Sequence, residues 1–373
     1  MPIASQQFIR EIQQSHTVVS RVEAWKGDSY TLLDLLEGQH TYSYDDASRT
    51  SYDFSVVDSQ GRSFEAFKAL LDPYQTRYVL RRGVKYVDGS TELIEMGTLY
   101  GTEAHMVGEH NGLPKWQLKC FDQSIRCQND LKEPFYVAPG QSISNMTASL
   151  LKMKRPNMVF NLPSTQFVTP VLVVRDNGSD PWTVGRKWMA SVGQDMFMDR
   201  NDVCTAQPRT GLVDTVPVWH FAEGVNATFW EPNRNINNDN YPNVIVVVGD
   251  NPVSGNVSGY AADEDPKSPT WVGNGEIVRT EHSEVVTTPE QAKEMARYIL
   301  AKLLGPQDEV ELDCIPNPLL DVGNTVKVTC ARYGLEGDLM IITRIDSQDG
   351  PNNMHLTARR NIISDLLAAP IRK

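Results

Sequence analysis

A chain of 373 residues carries 35 basic against 47 acidic side chains, a formal net charge of −12 at neutral pH. That balance argues against a protein that grips nucleic acid by neutralising phosphates. With 40% hydrophobic and 22% charged residues the chain has a globular composition, long enough for two or three domains without disulfide staples.

Residues 1–14, "MPIASQQFIREIQQ", are too polar for a signal peptide. They offer at most a short amphipathic helix on Phe8, Ile9 and Ile12, an arm for a neighbouring chain or a frayed end. From residue 16 to about 130 the pattern is that of short antiparallel strands. "HTVVSRVEAW" alternates around Val18, Val22 and Trp25, with turns expected at Lys26-Gly27-Asp28 and at Gly38-Gln39. "HTYSYDDASRTSYDFSVVD" predicts two more strands across a polar loop, and Asp72-Pro73 breaks the chain. Alternation resumes around Tyr78, Leu80, Val84, Tyr86, Leu93 and Met96, with Asp88-Gly89 as a hairpin turn. "PKWQLKCFDQSIRCQN" gives a strand that ends at Asp122, and the whole stretch reads as one all-β barrel or sandwich.

Between 131 and 217 the texture changes to α+β. Ile143, Met146, Leu150 and Met153 share a helix face, and Asp180-Pro181 starts a second helix that turns Trp188 and Val192 inward. Met196-Phe197-Met198 then leads into an Asp199-Arg200-Asn201 turn. From 218 the chain is loop-rich: "NRNINNDNYPN" is turn-prone, "VIVVVG" (244–249) is a strand buried on both faces, and "DEDPKSPTW" is an exposed loop.

Thr287 to Arg360 predicts helix, turn and curled sheet. Thr288 is the N-cap, Pro289 the first helical residue and Gln291 completes a capping box. Ala292, Met295, Ala296, Ile299, Leu300, Leu303 and Leu304 form the apolar face, and Gly305-Pro306 stops the helix. Val310, Leu312 and Cys314 alternate with acids as a half-buried strand. Corners follow at Pro316-Asn317-Pro318 and Asp321-Val322-Gly323. Further strands are expected at 326–328, 339–345 and 355–359, with Gly334 and Gly337 in the loop between the first two.

Signals for chemistry are sparse. Asp263, Glu264 and Asp265 are acids in a row, but lack the register of oxygen donors of a calcium loop and read as a solvated acidic loop. His105 and His110 lie five residues apart in a glycine-containing loop and His220 is isolated, without HExxH or a cysteine partner for zinc. Cys120, Cys127, Cys204, Cys314 and Cys330 hold no CxxC pair and read as buried thiols of a reducing compartment. No nucleophile elbow, P-loop or dinucleotide fingerprint is present, and no apolar run reaches the roughly 18 residues of a membrane span. No catalytic, cofactor or metal residue is therefore assigned. A glycosidase carboxylate pair among the many acids stays open. Trp219, Trp230 and Trp271 read as sugar platforms or as packing and subunit contacts.

"TTPEQAKEMARYILAKLL", "PNPLLDVGNTVKVT", "GLEGDLMIITRIDSQ" and "MHLTARR" together resemble the C-terminal part of phage tail-hub proteins. "YVLRRGVKYVDGSTELIEMGTLY" followed by "WQLKCFDQSIRC" is similar to the first tube-like domain of such hubs, in which the chain leaves the barrel after a strand ending in an Asp, here Asp122, read as structural. "PWTVGRKWMASVGQDMFMDRNDVC" is similar to another hub passage. The resemblance spans about 16 to 360 and implies a mainly β protein with α+β parts. Two tube-like antiparallel β-barrel domains (1–130 and 218–373, the second with helix 288–304) would flank a small α+β insertion (131–217). It implies a non-enzymatic, homotrimeric baseplate-hub subunit of the virion tail tip, assembled in the host cytoplasm. Such a trimer joins the six-fold tail tube and distal tail proteins to a three-fold tip, spike or fibre protein, next to the tape-measure protein. DNA passes through its channel without specific binding, for which an acidic lumen is suited. A hub of a phage-derived injection machine is a variant of that reading. The chain ends soon after "TARR", so no lytic or receptor-binding extension is expected here. The alternative from another class is a β-rich carbohydrate-active or carbohydrate-binding protein.

Overall fold

The computed structural model describes residues 4–169, 173–175, 178, 180–208, 216–224, 227–230, 232–236, 241–250, 257–266, 268, 270–304, 308–350 and 353–360. The chain opens with α1 (Gln6–Glu11), whose Ser5 cap accepts the Phe8 amide at 3.0 Å. It is not frayed. Phe8 and Ile12 are buried against Val84, Ile94 and Leu319, and the Ser5 hydroxyl donates to Glu92 at 2.6 Å.

Then come β1 (Thr17–Lys26), β2 (Ser29–Ser43), β3 (Thr50–Val57), helix α2 (Phe64–Leu70), β4 (Arg77–Lys85), β5 (Thr91–His110) and β6 (Leu113–Phe121). The pairings run β1–β4–β5–β6–β3–β2 and return to β1, all antiparallel. Inward residues alternate as strand geometry demands, so Tyr52, Phe54, Tyr78, Leu80, Leu99 and Leu118 meet in one core. Tyr52 stacks on Phe54 at 4.6 Å between centroids.

Two sequence expectations fail here. Gly38-Gln39 is no turn: β2 continues straight through it. Gly38 sits there because a Cβ would collide with the Tyr52 hydroxyl and the Asp349 carboxylate, so glycine marks close approach rather than reversal. As a result "HTYS" prolongs β2 and only β3 follows the polar loop. Helix α2 was not anticipated, because the sequence showed only a chain break in this stretch. It is capped by Ser63, and it buries Phe67 against the core.

The insertion holds β7 (Phe135–Val137), α3 (Ile143–Lys152), β8 (Val159–Asn161), β9 (Val173–Arg175), α4 (Pro181–Ala190), β10 (Gln194–Met198) and β11 (Val203–Pro208). Its own core gathers Met146, Leu150, Trp182, Trp188, Met196 and Cys204. Asp180 caps α4 through the Trp182 amide at 2.9 Å, as the Asp-Pro signal predicts. Met153 does not join the inward face. The helix ends at Lys152, and Met153, its C-cap, is 42% exposed.

The remainder comprises β12 (Trp219–Ala222), β13 (Asn233–Ile236), β14 (Val244–Gly249), β15 (Val257–Ala262), β16 (Val278–Ser283), α5 (Pro289–Leu304), β17 (Asp308–Cys314), β18 (Thr325–Cys330), β19 (Leu335–Gln348) and β20 (Met354–Arg360). The polar "NRNI" is not a turn but strand β13, paired with β17. Gly337 is not in a loop either: it lies inside β19 at φ +91°, close to a register shift against β18. Helix α5 packs on β14 and β15, where Ala292, Met295, Ala296 and Leu300 cover Ile245, Val247 and Ala261. Its apolar face covers this smaller sheet, within the unit 218–373 to which the sequence assigned it. Gln291 accepts the Thr287 amide at 3.1 Å while Thr288 accepts the Gln291 amide at 3.1 Å, a capping box shifted by one residue. The expected stop at Gly305-Pro306 lies outside the described residues.

The pairings β12–β18–β19–β20–β17–β13 form a second group, antiparallel except for the parallel β12–β18 contact. Residues Gln39–Ser43 of β2 pair with Arg344–Gln348 of β19, fusing both groups into one large, mainly antiparallel sheet with one shared core.

Candidate functional site

Elements from distant parts of the chain meet at the corner Pro316–Gly323 and the polar loop 44–49. Arg200, at the apex of the β10–β11 hairpin, reaches into it. Its Nη1 donates to the Pro318 carbonyl at 2.8 Å, its Nη2 donates to the Leu320 carbonyl, and its Nε lies 3.0 Å from Asp321 Oδ2. The guanidinium stands over the Tyr42 ring at 4.8 Å. Burial would push the Arg200 pKa down, but the Asp321 carboxylate and Tyr42 outweigh it and hold it above its ordinary value. Arg49 completes the clamp: it donates to the Val322 carbonyl, lies 3.8 Å from Asp321 Oδ1 and covers the Phe197 ring at 3.8 Å. A guanidinium suits this task because its planar fork serves several carbonyls while its face stacks on an aromatic ring.

The loop 44–49 is gripped from three further elements. Trp182 Nε1 donates to the Ala47 carbonyl at 2.7 Å and Arg186 to that of Asp46 at 3.0 Å, both from α4. Asp45 pairs with Arg359 of β20 at 3.0 Å and with Lys302 of α5 at 3.8 Å. Beneath lies His40, 1% exposed, edge-on to Tyr42 at 4.2 Å, with neither ring nitrogen hydrogen-bonded. Burial first, then the Arg82 and Arg200 charges, depress its pKa far below the usual imidazole value. Arg82 itself donates to the Ser347 hydroxyl and the Gln348 carbonyl, tying β4 to the end of β19.

The residues weighed for chemistry from the sequence do not converge. Asp263 is fully buried rather than solvated. Its Oδ2 accepts from the Ser268 and Thr270 hydroxyls, the latter at 2.6 Å, and so closes its own loop. Glu264 beside it is exposed. No group of three acids, histidines or cysteines placed to hold a metal occurs among the described residues. His105 and His110 are not in a loop but lie exposed along the outer half of β5, and His220 sits on β12 with Nε2 2.9 Å from Thr329 Oγ1. Trp219, Trp230 and Trp271 stand on β12, beside the Phe229–Cys314 bridge and in the loop before β16. The five cysteines are buried and free.

Two buried carboxyls, Asp122 and Asp202, have raised pKa values, each chiefly through burial, Asp202 to about 6. Both accept hydrogen bonds. Asp122 accepts the Thr50 amide at 2.9 Å and the Ser124 amide at 3.0 Å, capping the turn by which the chain leaves the β-sheet. Asp202 accepts the Tyr100 hydroxyl at 2.6 Å. The arrangement fixes geometry: Arg200 and Arg49 are held by backbone carbonyls and by Asp321, while His40 beneath them has no hydrogen-bond partner.

No protein-family model matches this chain, and none of the curated proteins matches it. Solved structures do. The tail protein from Neisseria meningitidis MC58 superposes with a TM-score of 0.63 at 11% identity, over 93% of this chain and 99% of that one. The 43 kDa tail protein of prophage MuSo2 from Shewanella oneidensis gives 0.64 at 11% identity, with the same coverage, 93% and 99%. The E. coli c3393 protein, described as a type VI secretion component similar to T4 tail proteins gp27 and gp5, gives 0.55 at 12% identity over 90% of this chain and 76% of that one. At such identities the likeness is one of fold: along nearly its whole described length the chain has the fold of phage tail proteins.

Proposed function

We propose that the chain is a structural, non-enzymatic subunit of a phage-type tail, and that it works as the hub at the tail tip. The observation that carries this is the fusion of two six-strand groups through β2 and β19. We read the first, whose pairings return to β1, as one tube-like barrel, and the second as its counterpart. Three such chains would present six near-equivalent units, joining a six-fold tube and distal tail ring to a three-fold spike or fibre protein. Closure follows only if the rotation between units closes a ring. On this reading the units are 1–130, 131–217 and 218–373, with the insertion bracing the two sheets from the outside.

The excess of acids then lines a passage that DNA crosses without sticking, with the tape-measure protein threaded through it before ejection. The assembled product is the virion tail tip, built in the host cytoplasm. Native mass spectrometry of the purified chain tests the reading: a trimer supports it, and a monomer that persists as concentration rises sinks it.

A further inference from the structure

Away from the corner, a cleft of about 270 Å³ opens between the end of β1, the segment before β4, and the residues after α3. Its walls are Trp25, Tyr74, Tyr100 and the three arginines Arg77, Arg126 and Arg155. Each guanidinium lies over an aromatic face: Arg77 over Trp25 at 5.2 Å, Arg126 over Tyr74 at 5.7 Å, Arg155 over Tyr100 at 5.4 Å. Stacking fixes the forks and leaves the edges of Arg77 and Arg155 free to donate. Arg126 is further anchored by the Gly101 carbonyl at 2.9 Å and by that of Pro73. Among the described residues none of the three has a carboxylate within ion-pair distance.

Two acids face the cluster, and Asp202 lies near enough to Arg155 and Arg77 for their charges to act on it. Asp202 accepts the Tyr100 hydroxyl, and Asp72 accepts the Tyr74 amide at 2.8 Å. Burial and the neighbouring Arg155 charge both lower the Arg126 pKa, so the like charges repel as the cleft stands. A chain with twelve more acids than bases has nonetheless left three unpaired arginines around one cleft.

We infer that this cleft is a docking site for an acidic peptide segment of a neighbouring protein, whose carboxylates take the free edges of Arg77 and Arg155 beside the charge of Arg126. Bidentate guanidinium–carboxylate pairs are the strong form of this contact, and the aromatic walls give the segment's aliphatic carbons an apolar surface. A nucleic acid strand would bring a charge on every nucleotide to a chain whose net charge is −12, whereas a peptide needs only the few carboxylates that the arginines receive. The inference goes beyond the tail reading and does not depend on the chain forming a ring.

The test is fluorescence anisotropy on the full-length chain with a labelled peptide of alternating aspartate and glutamate. Controls are the same peptide in asparagine and glutamine, an oligothymidylate, and inorganic phosphate as competitor. The acidic peptide should bind, salt should weaken it, and Arg155→Gln and Arg77→Gln should each weaken it about tenfold or more. Arg77 begins β4 at the surface, so its variant should keep the parent's melting temperature and isolate binding from folding. No binding, equal binding of the neutral peptide, unchanged affinity in both variants, or tighter binding of the oligonucleotide or of phosphate would each overturn the proposal.

Discussion

Arg200 and His40 lie under the same corner and meet burial in opposite ways. Arg200 stays charged because Asp321 and two carbonyls receive it. Removing it would leave Asp321 and those acceptors short of their cation. Since Asp321 is partly exposed, we expect Arg200→Ala to lower unfolding free energy by about 2 to 3 kcal/mol, read by urea denaturation. An unchanged midpoint would remove Arg200 from its role as clamp. His40 has no partner for a proton, and its folded pKa lies below that of the unfolded chain. The unfolded chain therefore binds a proton, near pH 6.5, that the folded one refuses. This contribution to stability is complete above that pH and is lost as pH falls through 6.5 towards the folded pKa. His40→Phe should flatten the decline in melting temperature between pH 7 and pH 5; an identical slope in parent and variant would assign the decline to other groups.

At the scale of elements, what was legible in the sequence was whatever local chemistry dictates. The Thr288-Pro289-Gln291 start of α5, the Asp180-Pro181 start of α4, the Asp88-Gly89 turn and the alternation of Val310, Leu312 and Cys314 all depend on neighbours within a few residues. Gly38 was misread because a glycine announces turn or close approach equally well, and only the distant Asp349 decides between them. Arg200 was read as part of a turn, which it is. Its partners are more than a hundred residues away, and no spacing rule reaches that far. Gly259 makes the same point as a prediction. It lies on β15 under α5, where a Cβ would stand 2.6 Å from the Lys293 nitrogen and 2.9 Å from the Ala292 Cβ. Gly259→Ala should thus force the helix off its sheet and cost about 1 to 3 kcal/mol in chemical denaturation. A neutral result would mean that α5 is free to shift.

For the whole molecule, the sequence pointed to a mainly β architecture, and the likeness to tail proteins extends over 93% of the chain. The registers that matter most were hidden, since β1 pairing with both β2 and β4, and β2 with β19, are choices among many half-buried strands of similar pattern. Those registers set two six-strand groups side by side in one sheet, the arrangement on which the proposed ring rests. The measurement that bears most directly on this is single-particle electron microscopy of the purified, assembled chain. The account predicts a three-fold ring in which the two groups alternate around an acidic central opening; a solitary protomer, or a ring whose opening is lined by arginine and lysine, would contradict it.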